Sequence, residues 1–316
     1  MNKILKISFF PIILSGCETT YPTLNQVTKA QASNPTATAG VIEITRISND
    51  PAPELLPRSS KNGKNIVITV RDQTKSGAEA LSIVSLKIDS PGKRLLAGPY
   101  ASGATWADDN AIVFSYLRSK SPALVIQSLD STGMRFLNPT AYGERDQLPD
   151  YSAELSKYTF QTVIGGVSHI AVVDRDGKNF TIFAEGEYPR WSSNSKSIYY
   201  QKRIGEFDQI FCLNLRDGSV TQLTSGSFNN NYAAPSPISN LIAFTSNRDG
   251  SQHLYTMNTD GSNLTQLTSG QTQEAFPEWI NEKEIIFSSD AGAPTANLSS
   301  AFNWAYLDIW KVKIKN

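Results

Sequence analysis

Histidine and cysteine are scarce in this chain. Of its 316 residues, two are His and two are Cys. Cys17 lies in the N-terminal leader, so Cys212 has no intrachain disulfide partner, and its place in the apolar run QIFCLNL favours a buried side chain over a reactive thiol. His169 and His253 each begin an apolar strand pattern, where we expect exposed strand-edge residues. A histidine-based metal site is therefore difficult to assemble, and we predict neither a metal centre nor a cofactor.

Neither sign of charge is in excess. The chain has 29 basic and 29 acidic residues, and removal of residues 1–16 with Lys3 and Lys6 leaves a net charge of about −2. No basic tract interrupts the sequence. Because nucleic-acid binding depends on the neutralisation of many phosphates, nucleic acid is excluded as a partner.

The apolar stretch near the N-terminus, from Ile7 to Leu14, is too short to span a bilayer. It follows two lysines and precedes small residues, which is the pattern of a cleaved secretory signal. The residues LSGC at 14–17 resemble the bacterial lipobox, whose cysteine is acylated and becomes the first residue after cleavage. We therefore predict a lipoprotein signal peptide at 1–16 and lipidation of Cys17; an ordinary secretory signal is the alternative.

The address of such a lipoprotein depends on the residue after the cysteine. Here it is Glu18, not the aspartate that resembles an inner-membrane retention signal in enteric bacteria. By this resemblance we expect the periplasmic side of the outer membrane of a Gram-negative bacterium. Residues 17–40 are rich in Thr, Ala, Asn, Gln and Pro and cannot bury a core, so we predict a flexible tether.

The rest of the chain repeats. Each unit has a proline or small residue, usually an aromatic, then a polar turn and an alternating apolar strand. The anchor positions are spaced by 47, 45, 40, 44 and 44 residues and are Ser59, Trp106, Tyr151, Trp191, Pro235 and Trp279. A period of this length with four strands per unit predicts propeller blades.

Asp-Gly pairs support the strand assignment. They lie between the third and fourth strands of three units, at 176–177, 217–218 and 260–261. Asp-Gly between alternating runs is a strong hairpin signal, because a type I′ turn needs positive φ at both central residues. We therefore predict tight type I′ turns on one face of an all-β fold.

The sixth unit has no fourth strand after LDIWKVKIKN. Residues 41–48, VIEITRIS, have the character of the fourth strands elsewhere and no partner upstream of them. An isolated strand is not stable in water. We therefore predict a six-bladed β-propeller over 41–316 in which this N-terminal strand completes the last blade.

Three stretches resemble the TolB family of propellers: 189–201, 239–270 and 276–289. They match that family's proline–aromatic–serine, RDG, IYxM and DGSxxxxLT elements. The resemblance implies the six-bladed fold and a general habit of binding envelope proteins. Two departures limit it, because there is no room here for the α/β domain of TolB, and TolB itself is not lipidated.

Catalysis is not indicated. Hydrolases with similar propellers carry an α/β-hydrolase domain, but G-x-S-x-G does not occur here. Related propeller lyases use a histidine-rich metal site, which two histidines do not provide. We predict that the protein is not an enzyme, and a degenerate lyase is a remaining alternative.

Binding is then expected on loops. Three connections are long: 138–149, 225–235 and 288–308. Their aromatic and basic residues are predicted partner contacts: Tyr142, Arg145, Phe228, Tyr232, Phe302, Trp304 and Tyr306. The alternative is that the aromatics of the last insert fold back to fill the channel or extend the strands of blade six.

Four arginines recur just after second strands: Arg71, Arg118, Arg203 and Arg248. A ring of guanidinium groups would suit an anionic partner. The alternative is structural pairing with neighbouring acids such as Asp72 and Asp249. The leading function is a protein-binding scaffold in an envelope complex for secretion or cell-wall linkage, and the alternative is a receptor for peptidoglycan or another anionic glycan.

Overall fold

The computed structural model describes residues 34–315 except 89, 131–132, 139, 292 and 294–303. The predicted signal peptide, Cys17 and Phe302 lie outside the described residues. Apart from two short 3₁₀ turns, Gly77–Ala80 and Trp304–Tyr306, the regular structure is β-strand. Within the described ranges, no helix has the length and hydrophobicity that a membrane crossing requires.

The strands form six four-stranded antiparallel sheets, which are the blades of a propeller. Two strands precede the first complete blade: β1 (Thr36–Ala37) and β2 (Val41–Arg46). Blade one contains β3 (Glu54–Ser59), β4 (Asn65–Arg71), β5 (Leu81–Lys87) and β6 (Ser90–Ala97). Blade two contains β7 (Ala101–Asp108), β8 (Ala111–Tyr116), β9 (Ala123–Ser128) and β10 (Met134–Phe136).

The next two blades follow the same order. Blade three contains β11 (Arg145–Ser152), β12 (Lys157–Ile164), β13 (Val167–Asp174) and β14 (Thr181–Glu185). Blade four contains β15 (Glu187–Trp191), β16 (Ser197–Ile204), β17 (Phe207–Asn214) and β18 (Val220–Gln222).

Blade five contains β19 (Asn230–Pro235), β20 (Leu241–Ser246), β21 (His253–Asn258) and β22 (Thr265–Gln266), and β23 (Thr268–Ser269) follows it. Blade six contains β24 (Glu274–Trp279), β25 (Glu284–Ser289), β26 (Asp308–Ile314) and, as its outermost strand, β2. The first strands of all six blades contact one another in a closed ring, so they surround the central channel.

The predicted closure of blade six is confirmed. β2 pairs antiparallel with β26, with Val41 opposite Ile314 and Ile44 opposite Val312. Val41 is buried in the core cluster that also contains Trp310 and Val312. The strand that lacks a partner in the sequence therefore joins the two ends of the propeller.

The N-terminal arm makes a second contact that the sequence did not predict. β1 pairs antiparallel with β23, with Thr36 opposite Ser269, and the Thr38 amide donates to the carbonyl of Leu267. The chain therefore runs along the outer edge of blade five, turns at residues 38–40 and returns in the opposite direction as the outer strand of blade six. Ordered contacts begin before residue 40, which was the predicted end of the tether.

The core lies between the blades. The middle of each second strand carries a large apolar side chain with at most 1% exposure, and these are Ile68, Phe114, Phe160, Tyr200, Phe244 and Phe287. Faces of neighbouring sheets pack together through these residues, as in other stacked β-sheets.

The Asp-Gly hairpins form where predicted, but they are not type I′ turns. Gly177, Gly218 and Gly261 have φ of 86°, 71° and 87°, whereas the preceding aspartates are not in the left-handed region. Instead the aspartate carboxylate accepts the amide two residues on, as from Ser219 to Asp217 at 2.9 Å. This side-chain turn replaces the second positive φ, so only the glycine needs conformational freedom.

Candidate functional site

The two faces of the propeller differ in their loops. The connections between strands two and three, and from each blade to the next, lie on one face, which we call the connecting face. The tight turns between strands one and two and between strands three and four lie on the other, which we call the hairpin face. The long connections after Phe136, Gln222 and Ser289 begin on the connecting face.

A ring of left-handed residues lines the channel below the connecting face. One residue in each inner strand has φ between 54° and 63°: Leu56, Gly103, Leu148, Tyr188, Tyr232 and Phe276. This conformation is strained for bulky residues and coincides with an interruption of each ladder. Each ring residue lies three residues before one of the six anchor positions. The residues with positive φ therefore repeat with the same period as the anchor positions.

The side chains of this ring fill the channel. Five of them pack in one cluster that includes Leu307 and Trp304 of the last insert. The Tyr232 ring lies 4.9 Å from that of Tyr188 and 4.5 Å from that of Phe276, and Trp304 lies 6.3 Å from Phe276. Trp304 therefore has the packing of the alternative for the last insert, and Tyr232 packs in the same cluster; partner binding through either residue stays a prediction.

Two residues further along the inner strands, four charged groups meet in the channel. Arg190 contacts Glu278 at 2.6 Å and Asp150 at 3.5 Å, and Arg58 lies 3.9 Å from Glu278. All four are at most 9% exposed. Burial, together with the neighbouring Arg190 charge, lowers the pKa of Arg58 to about 10. Two cations and two anions balance, so the group is a neutral polar layer beneath the aromatic one.

Tryptophans in the inner strands of blades two, four and six form hydrogen bonds with the preceding blade. The indole N–H groups of Trp106, Trp191 and Trp279 donate to the carbonyls of Arg58, Asp150 and Ala234 at 3.1, 3.2 and 2.9 Å. These are three of the six anchor positions. These three tryptophans therefore join neighbouring blades.

Tyr142 lies between blades two and three. Its ring stacks on Phe180 at 4.7 Å, and its hydroxyl donates to the carbonyl of Gly177 at 2.6 Å. Phe228 lies against the guanidinium of Arg248, whose central carbon is 4.9 Å from the ring centroid. Both predicted contact residues are thus half-buried against other residues of the propeller, and partner binding through them stays a prediction.

The four recurring arginines do not share one environment. Arg203 forms two hydrogen bonds with Asp208, at 3.0 and 3.1 Å. Arg248 donates to Asn230 and Ser246, not to the neighbouring Asp249 as we expected, and it lies over three aromatic rings. Arg71 is half-buried, and Arg118 is exposed at the outer end of blade two. Arg203 and Arg248 are therefore held by structural partners.

Arg145 and Tyr306 lie on the connecting face, and both are half-buried. Burial lowers the pKa of Arg145, and Glu144 is the charge that opposes this shift. Tyr306 follows Trp304 in the turn that covers the channel mouth. Like Tyr142 and Phe228, these two predicted contact residues keep part of their surface exposed on the described part of that face.

His253 was expected at an exposed strand edge, but it is buried at 1% exposure. Its Nδ1 lies 2.8 Å from Glu274, and its Nε2 lies 3.2 Å from the carbonyl of Gly270 and 3.7 Å from Asp249. Burial alone would lower the pKa of His253, but the hydrogen bond and charge of Glu274 and the charge of Asp249 outweigh it and raise the pKa. Both ring nitrogens face acceptors, which is the environment of an imidazolium.

Blade four has an uncharged version of this arrangement. Gln209 occupies the place of His253 and accepts from Asn230 at 2.8 Å, while its amide donates to Gly226 and Phe228. The sequence pattern could not distinguish the two, because QIFCLN and HLYTMN carry the same strand periodicity.

His169 and Cys212 are both half-buried. The His169 ring contacts the carbonyl of Val167. Burial raises the pKa of the Cys212 thiol, which disfavours the reactive thiolate. Within the described ranges, His, Cys, Asp and Glu form no group of three or more that could hold a metal ion.

Comparisons with known proteins agree with this architecture. Residues 157–297 match the family model described as TolB beta propeller domain. The structure of a putative TolB from Agrobacterium tumefaciens is similar with a TM-score of 0.62 and 13% identity, over 86% of this chain and 97% of that one. TolB from Acinetobacter baumannii gives a TM-score of 0.59 and 15% identity, over 81% and 65%.

Among curated sequences, an uncharacterised protein of Agrobacterium fabrum is 29% identical over 103 residues, which are 32% of this chain. The chain spans 35% of the length of that relative. Enzymes also have similar structures, since tricorn protease and an oligogalacturonate lyase from Vibrio parahaemolyticus match at 13% and 10% identity. At such identities the likeness concerns the fold alone.

Six four-stranded blades around a filled channel, closed by a strand from the N-terminal side, define a six-bladed β-propeller. Residues 157–297 are similar to the TolB beta propeller domain, and the fold of the chain is similar to that of the structures named TolB.

Proposed function

We propose that this protein is a protein-binding scaffold of the bacterial cell envelope, anchored by lipid on Cys17 to the periplasmic side of the outer membrane. The single observation that carries the scaffold part is the filled channel. Tyr188, Tyr232 and Phe276 pack across it, and Trp304 covers them from the connecting face. These described residues thus offer a packed surface at the mouth of the channel, where a partner docks.

The connecting face is the proposed partner surface. It carries the longest connections, and loops held by a rigid scaffold are the usual place for binding residues. Arg145 is half-buried there, and burial lowers the pKa of its guanidinium, so an acidic partner group would gain from pairing with it. The proposed role is binding without catalysis.

The anchor is supported by the resemblance of LSGC to the lipobox and by the course of the chain. Residues 34–40 run along the outer strand of blade five before β2 completes blade six. A membrane-bound N-terminus would therefore hold the propeller by the outer edges of blades five and six.

Two measurements test the proposal. Cys17→Ala should leave the protein unprocessed or release it from the membrane fraction. Envelope proteins that co-purify from detergent-solubilised membranes should be lost with Arg145→Glu but kept with Glu154→Lys, a charge reversal on the hairpin face of the same blade. Membrane retention of Cys17→Ala after a high-salt wash would contradict the anchor. Equal co-purification by the two charge variants would contradict the assignment of the face.

A further inference from the structure

A cleft of about 790 Å³ separates the outer parts of blades one and two. One wall is the backbone and side chains of β6 from Arg94 to Ala97, and the other carries Phe114, Tyr116 and Met134 of blade two. A second cleft of about 440 Å³ continues it towards the hairpin face and shares Arg94, Leu96 and Leu129. Together they form one groove along the side of the propeller, which we call the side groove.

Among the described residues, little chain crosses the gap between blades one and two. Only residues 98–100 connect β6 to β7, and β10 is three residues long. Between blades two and three, by contrast, Tyr142 contacts Gly177 and Phe180. Between blades five and six the gap is occupied by β1 and the turn after it.

The walls of the side groove combine polar groups with exposed apolar side chains. Leu95 is 65% exposed and Met134 is 49% exposed, on opposite sides of the groove. Tyr116 lies between them, with its ring 6.1 Å from that of the exposed Phe136. Contiguous exposed apolar surface of this kind marks an interaction site more often than scattered single residues do.

The connecting-face end of the side groove has the basic residue Arg118, and the hairpin-face end has residues of both signs, which are Lys87, Lys93, Asp109 and Asp130. Arg118 follows β8 at the connecting face and is exposed, whereas Asp130 lies in the turn after β9 at the hairpin face. Arg94, midway, donates to the carbonyl of Leu129, and Asp130 accepts from Asn110. An occupant would therefore place an acidic group at the connecting-face end.

The N-terminal arm is an example of extended polypeptide that occupies a gap between two blades. β1 adds to the strand that follows the outer edge of blade five, and Thr38 donates from both its amide and its hydroxyl to blade-five carbonyls. In blade one, β6 is the edge strand of the described sheet and is the longest of the outer strands. Extended peptides commonly bind by adding to a sheet edge, with neighbouring pockets selecting side chains.

We propose that the side groove binds an extended peptide segment of a partner protein. Its apolar side chains would contact Leu95, Tyr116 and Met134, and an acidic residue at one end would pair with Arg118. This inference does not depend on the lipid anchor or on the connecting face. It adds a second surface, on the flank of blades one and two.

The test uses two labelled peptides, Asp-Leu-Val-Leu-Thr and Lys-Leu-Val-Leu-Thr, with binding measured by fluorescence anisotropy. The acidic peptide should bind at least about tenfold more tightly than the basic one. Arg118→Glu should abolish or reverse this preference. Leu95→Glu should weaken binding of the acidic peptide by at least about tenfold, because a carboxylate would replace an apolar contact.

Ile238→Glu is the matched control, since Ile238 is 67% exposed but lies in a turn of blade five, outside the groove. It should bind like the parent protein, and all three variants should unfold at nearly the parent temperature. Three results would overturn the inference: no binding of the acidic peptide at about 1 mM, equal binding of the two peptides, or binding unaffected by Leu95→Glu and Arg118→Glu.

Discussion

Trp279 and Trp310 pack in the same core cluster, yet they differ in the use of one polar atom. The Trp279 indole donates to the carbonyl of Ala234, whereas in the described part of the chain the Trp310 indole nitrogen is buried without a hydrogen-bond partner. Substitutions at the two positions therefore separate two contributions to stability: the hydrogen bond between blades, and the burial of an indole ring.

Trp279→Phe should lower the free energy of unfolding by about 1–2 kcal/mol more than Trp310→Phe does. Both substitutions remove a similar apolar area, but only the first leaves a buried carbonyl without its donor. Chemical denaturation of the two variants measures the difference. Equal losses of stability would show that the hydrogen bond between blades five and six contributes little.

The closing strand offers a second matched pair. Val41 is 7% exposed and packs in the core, whereas Ile42 is 57% exposed on the opposite face of the same strand. Val41→Asp should destabilise the propeller by about 3 kcal/mol, because a carboxylate would be buried without a partner. Ile42→Asp carries the same cost in β propensity without the burial. Coincident thermal unfolding of the two variants would contradict closure through β2.

The imidazolium of His253 predicts a pH-dependent stability. Because its pKa in the folded state is raised above the usual value of about 6.5, its contribution should be complete below about pH 6.5 and should disappear as the pH rises through the raised pKa. His253→Gln should therefore destabilise the protein most at low pH. Thermal unfolding from pH 5.5 to 9 measures this dependence, and a constant difference across that range would contradict it.

Blade four supplies the matching rescue. In the double variant His253→Gln with Glu274→Asn, the amide pair of Gln209 and Asn230 is reproduced between blades five and six. The double variant should be more stable than His253→Gln alone, because the single change leaves a buried carboxylate without its cation. Its stability should also vary less with pH. A double variant less stable than the single one would show that the two sites are not equivalent.

Substitutions of Trp304 test whether this residue stabilises the packing in the channel or contacts a partner. Its ring packs on Phe276 and Leu307, so Trp304→Ala should lower the free energy of unfolding by about 1–3 kcal/mol. Trp304→Phe, which keeps an aromatic ring, should recover most of the loss. Unchanged unfolding with weakened partner association would instead assign the residue to the partner interface.

The fold could be predicted because its signals are local and repeated. The strand periodicity, the Asp-Gly turns and the missing fourth strand of blade six each depend on neighbouring residues, and the pairing of β2 with β26 confirms the closure. The pairing of β1 with β23 was not foreseen, because Thr36 and Ala37 belong to a polar segment without strand alternation.

The surroundings of the candidate site residues could not be read from the sequence. Phe228 and Tyr142 are in loops, but their rings meet partners that are distant along the chain, such as Arg248 and Phe180. His253 and His169 begin similar strands, but only His253 has an acidic residue on the next blade within hydrogen-bond distance. Tertiary contacts of this kind leave no periodic signal.

The N-terminal arm, which is β1 on blade five and β2 on blade six, would transmit any force applied to the N-terminal side of the chain. Tension applied at the N-terminal side reaches the two residue pairs of β1 and β23 before the five pairs of β2 and β26. The short contact would rupture first and release about 20 Å of chain while the ring stays closed. Because the arm is attached at two places, it would lengthen under force before the last blade opens.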